Sequence, residues 1–476
     1  MSNVNTVFKN TSWLFASQVI SGILGFIWIV LITRYLGLTQ YGILSTVIAY
    51  TSVTAVFLDL GLGTFSIREV SRDTTLSSKY LGNIILIKLI LSLIIVPILI
   101  LIMYFLGYNF LTLEVLFIII LQTVFNTLII IFNSIVQANE KMEYTAIATI
   151  LTSIVNIIGF LTAIYIDAGL LAIASIYSIS ALLTLCYLII TSYKIKIKPS
   201  FEIDLNFWKK TIKGALPFWI IAVLATIYYS TDTIMLSLLK GDSAVGIYNA
   251  SYKIINLLIT IYLVYRTVIF PVMSKFYNSS KELLQVTYER SVKYLLILAI
   301  PLAVGITIYS NEIMNLIYGS EFQVGASVLM ILVWSMVLLF INELTSNLLN
   351  ASNKEITVTT RNSIAAIANV VINLLLIPLY SYNGASISTL ITQGILLILT
   401  VYILIKDVFV LGKNILIDIG KIILINSVLA IILYLLKLPL ILAIIVGLII
   451  YIIGIFITKL LDTTDKNIIK DIIKGL

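Results

Sequence analysis

Gly37-Leu-Thr-Gln-Tyr-Gly42-Ile43, set beside Gly241-Asp-Ser-Ala-Val-Gly246-Ile247, decides the architecture of this chain. Each stretch is a short glycine-bounded turn between apolar runs near or above the roughly 18 residues that suggest a membrane-crossing helix. The two turns lie 204 residues apart. Further on, Gln137-Ala-Asn-Glu-Lys141 matches Asn350-Ala-Ser-Asn-Lys354 at an offset of 213, and Asp167-Ala-Gly169 matches Tyr382-Asn-Gly384 at 215. Three landmarks in one order at slowly drifting offsets mark an internal repeat. Each repeat holds six spans, and because six is even the repeats are parallel, related by an axis along the membrane normal. The spacing G-x-x-x-x-G also opens a phosphate-binding loop, but Ile43 and Ile247 stand where that loop needs Lys followed by Ser or Thr. A nucleotide site is not implied.

Composition agrees with a chain dissolved in lipid: 60% of the 476 residues are hydrophobic and 11% charged. The reading is an all-α polytopic membrane protein of about 14 transmembrane helices, two parallel six-helix lobes plus two C-terminal helices. The lobes are expected at 1–191 and 215–406, joined by a cytoplasmic interfacial linker at 192–214 and followed at 407–476 by the two additional helices and a tail. Hydropathy places the second span at 42–65, the third at 83–106, the ninth at 291–309 and the eleventh at 361–380. The first apolar run lacks a cleavage pattern and reads as a retained helix. Histidine is absent and Cys186 is the single cysteine, so neither a metal nor any other cofactor is expected.

The formal charge of +8 is explained by topology rather than by nucleic acid. With both termini on one side, that side holds most of the basic residues, Lys293 and Arg361 among them, while the opposite loops hold only Arg34, Lys240 and Lys437. The positive-inside rule then puts both termini in the cytoplasm of a multi-pass protein of the cell membrane. In the linker, Lys194, Lys196 and Lys198 precede Pro199, Phe207 and Trp208, a pattern suited to the inner headgroups.

Polar groups inside a membrane are costly, so where they line up on a helix they face a hydrated interior or another helix. One stripe runs Asn249, Lys253, Asn256, Thr260 and Thr267. The fourth span carries Gln122, Asn126, Asn133 and Gln137, the tenth Glu343, Asn347 and Asn350, the eleventh Asn362, Asn369 and Asn373. Hydrogen-bonded helix glue explains any single stripe as well as a substrate path does. Asp232 and Lys253 stand equally far from the turn at Asp242 and Ser243, roughly 10 to 15 Å deep at about 1.5 Å per residue, so an ion pair between them is expected. Arg266 suits a phosphate contact, with snorkelling to headgroups as the plainer reading. Lys88 is expected to snorkel, and Asp59 to lie in a solvated loop beside Arg68.

These residues resemble a known family. Thr33-Arg34-Tyr35-Leu36-Gly37-Leu38-Thr39-Gln40-Tyr41-Gly42, with Asp59-Leu60-Gly61-Leu62 and Arg68-Glu69, is similar to the N-terminal signature of the Wzx-type polysaccharide and O-antigen flippases. Asp232-Thr-Ile-Met-Leu236 with Val245-Gly246-Ile247-Tyr248-Asn249-Ala250 and Lys253 resembles their mid-chain signature. These flippases belong to the multidrug, oligosaccharidyl-lipid and polysaccharide exporter superfamily. The resemblance implies alternating access for a lipid-linked oligosaccharide on an undecaprenyl or dolichyl carrier, with membrane lipids and glycan-assembly enzymes as partners and no enzymatic activity. Lys253 and Arg266 would then meet the diphosphate. Asp232, Asn126, Asn256, Glu343, Asn347, Asn369 and Asn373 would complete a polar path, and the last two helices would hold the isoprenoid. Two rivals stay open: a multidrug or small-cation exporter on the same fold, served by Asp232, Glu343 and Asp59, and a membrane glycosyltransferase or polymerase, for which the outer loops are short.

Overall fold

The computed structural model describes residues 2–463 and 465. Its elements are helices α1 (Ser2–Asp59), α2 (Leu62–Arg72), α3 (Ser77–Phe105), α4 (Phe110–Ala138), α5 (Met142–Tyr165), α6 (Gly169–Lys194) and α7 (Leu205–Lys240). They continue as α8 (Asp242–Ser279), α9 (Lys281–Ile308), α10 (Ser310–Tyr318), α11 (Ala326–Ala351), α12 (Glu355–Asp407), α13 (Lys413–Leu436) and α14 (Leu440–Ile457), with 3-10 turns at Thr74–Leu76 and Ser320–Gly325. Among the described residues, 12 continuous helical segments are long and apolar enough to cross a membrane. Two of these, Ala16–Arg72 and Glu355–Asp407, run to 57 and 53 residues. At about 1.5 Å per residue either would extend well beyond twice a ~30 Å core. Each is broken near its middle: α1 at Gly37 (φ 68°, ψ −178°), α12 at Ser381 (φ 53°, ψ −134°). Each therefore supplies two spans, which gives the expected fourteen.

The repeat is written in the backbone. Gly241 has φ 81° and ψ −179°, the conformation of Gly37. Left-handed residues recur in matched pairs along the chain: Gly107 with Gly319, Glu140 with Asn353, Asp167 with Ser381. After α4 the Lys141 N–H donates to the Val136 carbonyl, and after α11 the Lys354 N–H donates to the Leu349 carbonyl, both offset by 213. The third landmark sits one residue from its expected register, since Asp167 pairs with Ser381 rather than with Tyr382.

By packing, the chain divides into two units, Met1–Asn249 and Ala250–Leu476. In the first, Leu62, Phe65, Leu81, Ile84, Ile131 and Phe132 belong to one buried cluster that joins α2, α3 and α4. The second span ends at Asp59 rather than at 65, because Leu60 (φ 49°) and Gly61 (φ 71°) break it. The close approach explains the glycine: a Cβ on Gly61 would stand 2.6 Å from the Trp219 amide nitrogen and 2.8 Å from the Ala215 carbonyl oxygen of α7.

Several helices begin earlier than hydropathy indicates, and three charges move inward with them. Hydropathy reports exposure to lipid, whereas a helix with one polar face continues past the point where its mean hydropathy falls. Lys88, expected to snorkel, lies well inside α3 and is fully buried; its Nζ donates to Asp59 Oδ1 at 2.6 Å, to the Thr127 carbonyl at 2.7 Å and to Thr127 Oγ1 at 3.1 Å. Asp59 is thus the counter-ion of Lys88 and not a free loop charge. Arg361, expected at the inner surface, is 2% exposed inside the second unit. Lys293 is likewise buried, and donates to Asp465 Oδ2 at 2.7 Å and pairs with Asp418 at 3.1 Å. Arg290 Nη1 (2.9 Å) and Tyr294 Oη (2.5 Å) donate to the other Asp465 oxygen, so the segment after α14 is fastened to α9. The last two helices are mostly bare toward lipid: α14 buries only Ala443, Gly447 and Tyr451, a stripe at a spacing of four.

Removing one partner of a buried ion pair strands the other. Asp59→Asn should therefore cost about 3 kcal/mol or more of stability, while Asp59→Asn with Lys88→Met should recover most of it. Thermal unfolding in detergent checks both, and equal melting points for the single and double variants would contradict the pairing. For Asp465, burial raises the carboxyl pKa, but hydrogen bonds from Lys293, Tyr294 and the Asp462 N–H outweigh it and hold the group below the usual carboxylate range. A depressed carboxylate stabilises fully above its unfolded pKa of about 3.9 and loses that contribution as pH falls through the lower folded value. The stability gap between wild type and Asp465→Asn should accordingly be widest near neutrality and narrow below about pH 4.

Candidate functional site

The two turns that opened the sequence meet each other within the first unit. A Cβ on Gly42 would lie 1.8 Å from the Asp242 carbonyl oxygen, and one on Gly246 would lie 2.1 Å from the Leu38 carbonyl oxygen. Since 38 and 242, like 42 and 246, are repeat partners at 204, this contact is reciprocal, with each turn giving a glycine and a carbonyl to the other. On the local two-fold between them Thr39 Oγ1 and Ser243 Oγ share a hydrogen bond of 3.0 Å, and these residues too are partners at 204. Only hydrogen fits at the Cα of either glycine, which is the physical requirement behind their spacing. Around the knuckle, Tyr108 Oη bonds Ser237 Oγ at 2.7 Å and donates to Tyr50 Oη at 3.1 Å, tying α7 to α1. Tyr35 Oη donates to Asp167 Oδ1 at 2.8 Å and accepts from the Gly169 N–H at 2.8 Å. The knuckle is thus held from both sides.

The sequence-derived site residues divide into engaged and accessible ones. In the first unit Asp232 on α7 is buried and accepts a hydrogen bond from Tyr248 Oη at 2.5 Å, while Asn126 on α4 is exposed. In the second unit Asn347 Nδ2 donates to Tyr262 Oη, and Asn373 Nδ2 donates to Asn369 Oδ1 at 3.0 Å. Asn369 is held in turn by Ser388, whose Oγ donates to its carbonyl at 3.3 Å. Asn347, Asn369 and Asn373 are all buried. Lys253 and Asn256 on α8 are half-buried, Arg266 is exposed, and Lys253 makes no salt bridge among the described residues of its unit. Asp232 and Lys253 fall in different units.

One member of this set escaped sequence reasoning. Arg361 on α12 donates from Nη1 to Thr400 Oγ1 at 2.7 Å, and from Nη2 to Ser346 Oγ and to the Asn342 carbonyl. Thr400 donates to Asn342 Oδ1 at 3.2 Å, and Asn342 Nδ2 donates to Gln393 Oε1 at 2.8 Å, so a polar chain runs between α11 and α12. Half-buried Glu343 lies in the electrostatic field of both Arg361 and Arg266. Its signal in the sequence was the polar set Asn342, Ser346, Arg361, Gln393 and Thr400, which is spread over three spans and reads as unrelated until those spans pack. In the helices of the second unit Glu343 thus has two cations in its field, Arg361 and Arg266, while Lys253 stands apart on α8.

A profile described as "Polysaccharide biosynthesis protein" matches residues 7–277, more than half of the chain. The chain belongs to this polysaccharide biosynthesis protein family. A second profile, MatE, matches residues 217–375. Among curated relatives, the probable low-salt glycan biosynthesis flippase Agl15 of Haloferax volcanii is 26% identical over 388 residues, 79% of each chain. An uncharacterised membrane protein of Methanocaldococcus jannaschii is 28% identical over 177 residues, 37% of this chain and 35% of that one. Among solved structures, the lipid II flippase MurJ in an inward closed conformation superposes with a TM-score of 0.76 at 18% identity, covering 92% of this chain and 97% of its own. An inward-facing multidrug MATE transporter gives 0.62 at 18%, covering 80% and 92%. Both share the fold.

The knuckle tolerates no side chain at its centre. In a protein carrying Cys186→Ala, Thr39→Cys with Ser243→Cys should form a disulfide under mild oxidation. Adding Gly246→Val should abolish it, since the new Cβ would enter the Leu38 carbonyl; an undiminished cross-link in the valine variant would contradict the contact.

Proposed function

We propose that this protein is a flippase that carries a polyprenyl-diphosphate-linked oligosaccharide from the cytoplasmic to the outer leaflet by alternating access, for a cell-surface polysaccharide or glycoprotein. The likeness to a named glycan flippase over 79% of the chain supports this reading, and the pair of cations acting on Glu343 in the second unit is the observation that carries it. A diphosphate needs charge-assisted donors, and Lys253 and the exposed Arg266 offer them where the substrate would pass. Asn126, Asn256 and Glu343 contribute polar surface for the glycan. The bare faces of α13 and α14 suit an isoprenoid chain. We take the lobes 1–191 and 215–406 as the moving parts, joined by the 192–214 linker, with membrane-bound glycan-assembly enzymes supplying the substrate. By the positive-inside rule both termini lie in the cytoplasm of the cell membrane, and the Gly42–Gly246 knuckle closes the outer side.

A small-cation exporter on the same fold has the MatE match in its favour. It requires anionic groups to prevail along the path, and the two cations acting on Glu343, Arg361 and Arg266, speak for the glycan instead. Lipid-linked oligosaccharide in proteoliposomes, scored by a glycosidase added outside, distinguishes the two. Lys253→Ala and Arg266→Ala should each slow protein-dependent exposure about ten-fold or more, the worth of one charge-assisted hydrogen bond. Unchanged rates in both variants would remove these residues from the path, and cation efflux without glycan exposure would favour the exporter.

A further inference from the structure

We infer that the α6–α7 linker is a built docking site for anionic phospholipid, in which an apolar edge enters the leaflet while a ring of lysines holds the headgroups. The segment is fixed rather than slack. Ser200 donates its N–H to the Ser78 carbonyl at 3.0 Å, and its backbone lies so close to α3 that a Cβ on Gly82 would stand 2.0 Å from the Ser200 carbonyl oxygen. Lys79 Nζ donates to Asp204 Oδ2 at 3.0 Å while lying over the Phe207 ring, and Trp208 Nε1 donates to Asn83 Oδ1 at 2.7 Å.

These anchors consume the acidic groups and leave the apolar and basic ones outside. Glu202 accepts from Ser200 Oγ at 2.8 Å, and Asp204 caps α7 by accepting from the Phe207 N–H at 2.9 Å. Between and beside them Phe201, Ile203 and Leu205 are 60%, 77% and 68% exposed. The three alternate with Glu202 and Asp204, whose N–H groups bond back to the Ser200 and Glu202 carbonyls at 3.1 Å, and all three stay exposed. Lys194, Lys196 and Lys198 before that edge, and Lys209, Lys210 and Lys213 after it, are all exposed, and none forms an ion pair among the described residues. Exposed apolar side chains flanked by free lysines match an interface of acyl chains beneath phosphate. A water-facing loop would gain nothing from three such side chains held out rigidly. The leaflet named, the cytoplasmic one, rests on the orientation proposed above.

The test uses the full chain in nanodiscs. Ile203→Cys on the Cys186→Ala background, labelled with bimane, should be quenched by lipid carrying a nitroxide near its headgroup and hardly at all by aqueous iodide. Phosphatidylglycerol should raise the melting temperature of wild type in detergent by a few degrees over phosphatidylcholine. The variant with all six lysines changed to glutamine should lose that increment while keeping its fold by circular dichroism, and inorganic phosphate should not replace the lipid. Quenching by iodide alone, or an equal phosphatidylglycerol effect on both proteins, would overturn the inference. Labelling of Ile203→Cys in intact cells by an impermeant maleimide would instead overturn the orientation, and neither result depends on the flipping assay.

Discussion

The junction of the two repeated turns in the first unit depends on two glycines that leave room for two carbonyls. Gly42 and Gly246 each sit against the backbone of the opposite turn, and Thr39 and Ser243 bond across the local two-fold. Tyr41, Ile43, Val245 and Ile247 beside them are buried, so the contact combines steric fit and one hydroxyl pair with apolar packing. The cluster of Leu62, Phe65 and Ile131 packs a separate part of the same unit. Because the two turns descend from one repeated motif, each supplies what the other lacks.

Buried charge does the complementary work of keeping the bodies rigid. Lys88 gives its three donors to Asp59 and Thr127, and Lys293 and Arg290 clasp Asp465, so these ions are satisfied within their own unit. Arg361 is held by neutral oxygens of α11 and α12, with Glu343 as the carboxylate in its field. A cation whose charge is already matched by a near carboxylate attracts a diphosphate weakly, whereas Lys253 and Arg266, the proposed contacts, form no salt bridge among the described residues.

Much of the fold was legible because membrane helices advertise themselves by length, and because the repeat preserved its turns. The spans expected at 144–166, 170–191 and 441–458 lie within two or three residues of α5, α6 and α14 at each end. Less legible were the places where a helix continues past its apolar stretch. Lys88, Lys293 and Arg361 were assigned to surfaces for that reason, and their partners Asp59 and Asp465 are far away in sequence. Of the site, the placement of Lys253, Asn256 and Arg266 on one helix, α8, could be read from the sequence alone. The engagement of Asn347 with Tyr262 of α8, and of Asn369 with Asn373 and Ser388 within α12, could not, since a stripe looks the same whether its partner is water, sugar or protein.

The central claim joins closure of the knuckle to movement of a glycan, and one measurement addresses it directly. Protein with Cys186→Ala, Thr39→Cys and Ser243→Cys is reconstituted with lipid-linked oligosaccharide, and exposure to an external glycosidase is followed before oxidation, after it, and after reduction. Exposure that stops when the two turns are bonded and resumes when the bond is reduced is the predicted result. Exposure continuing at full rate across a quantitatively formed disulfide would contradict the account.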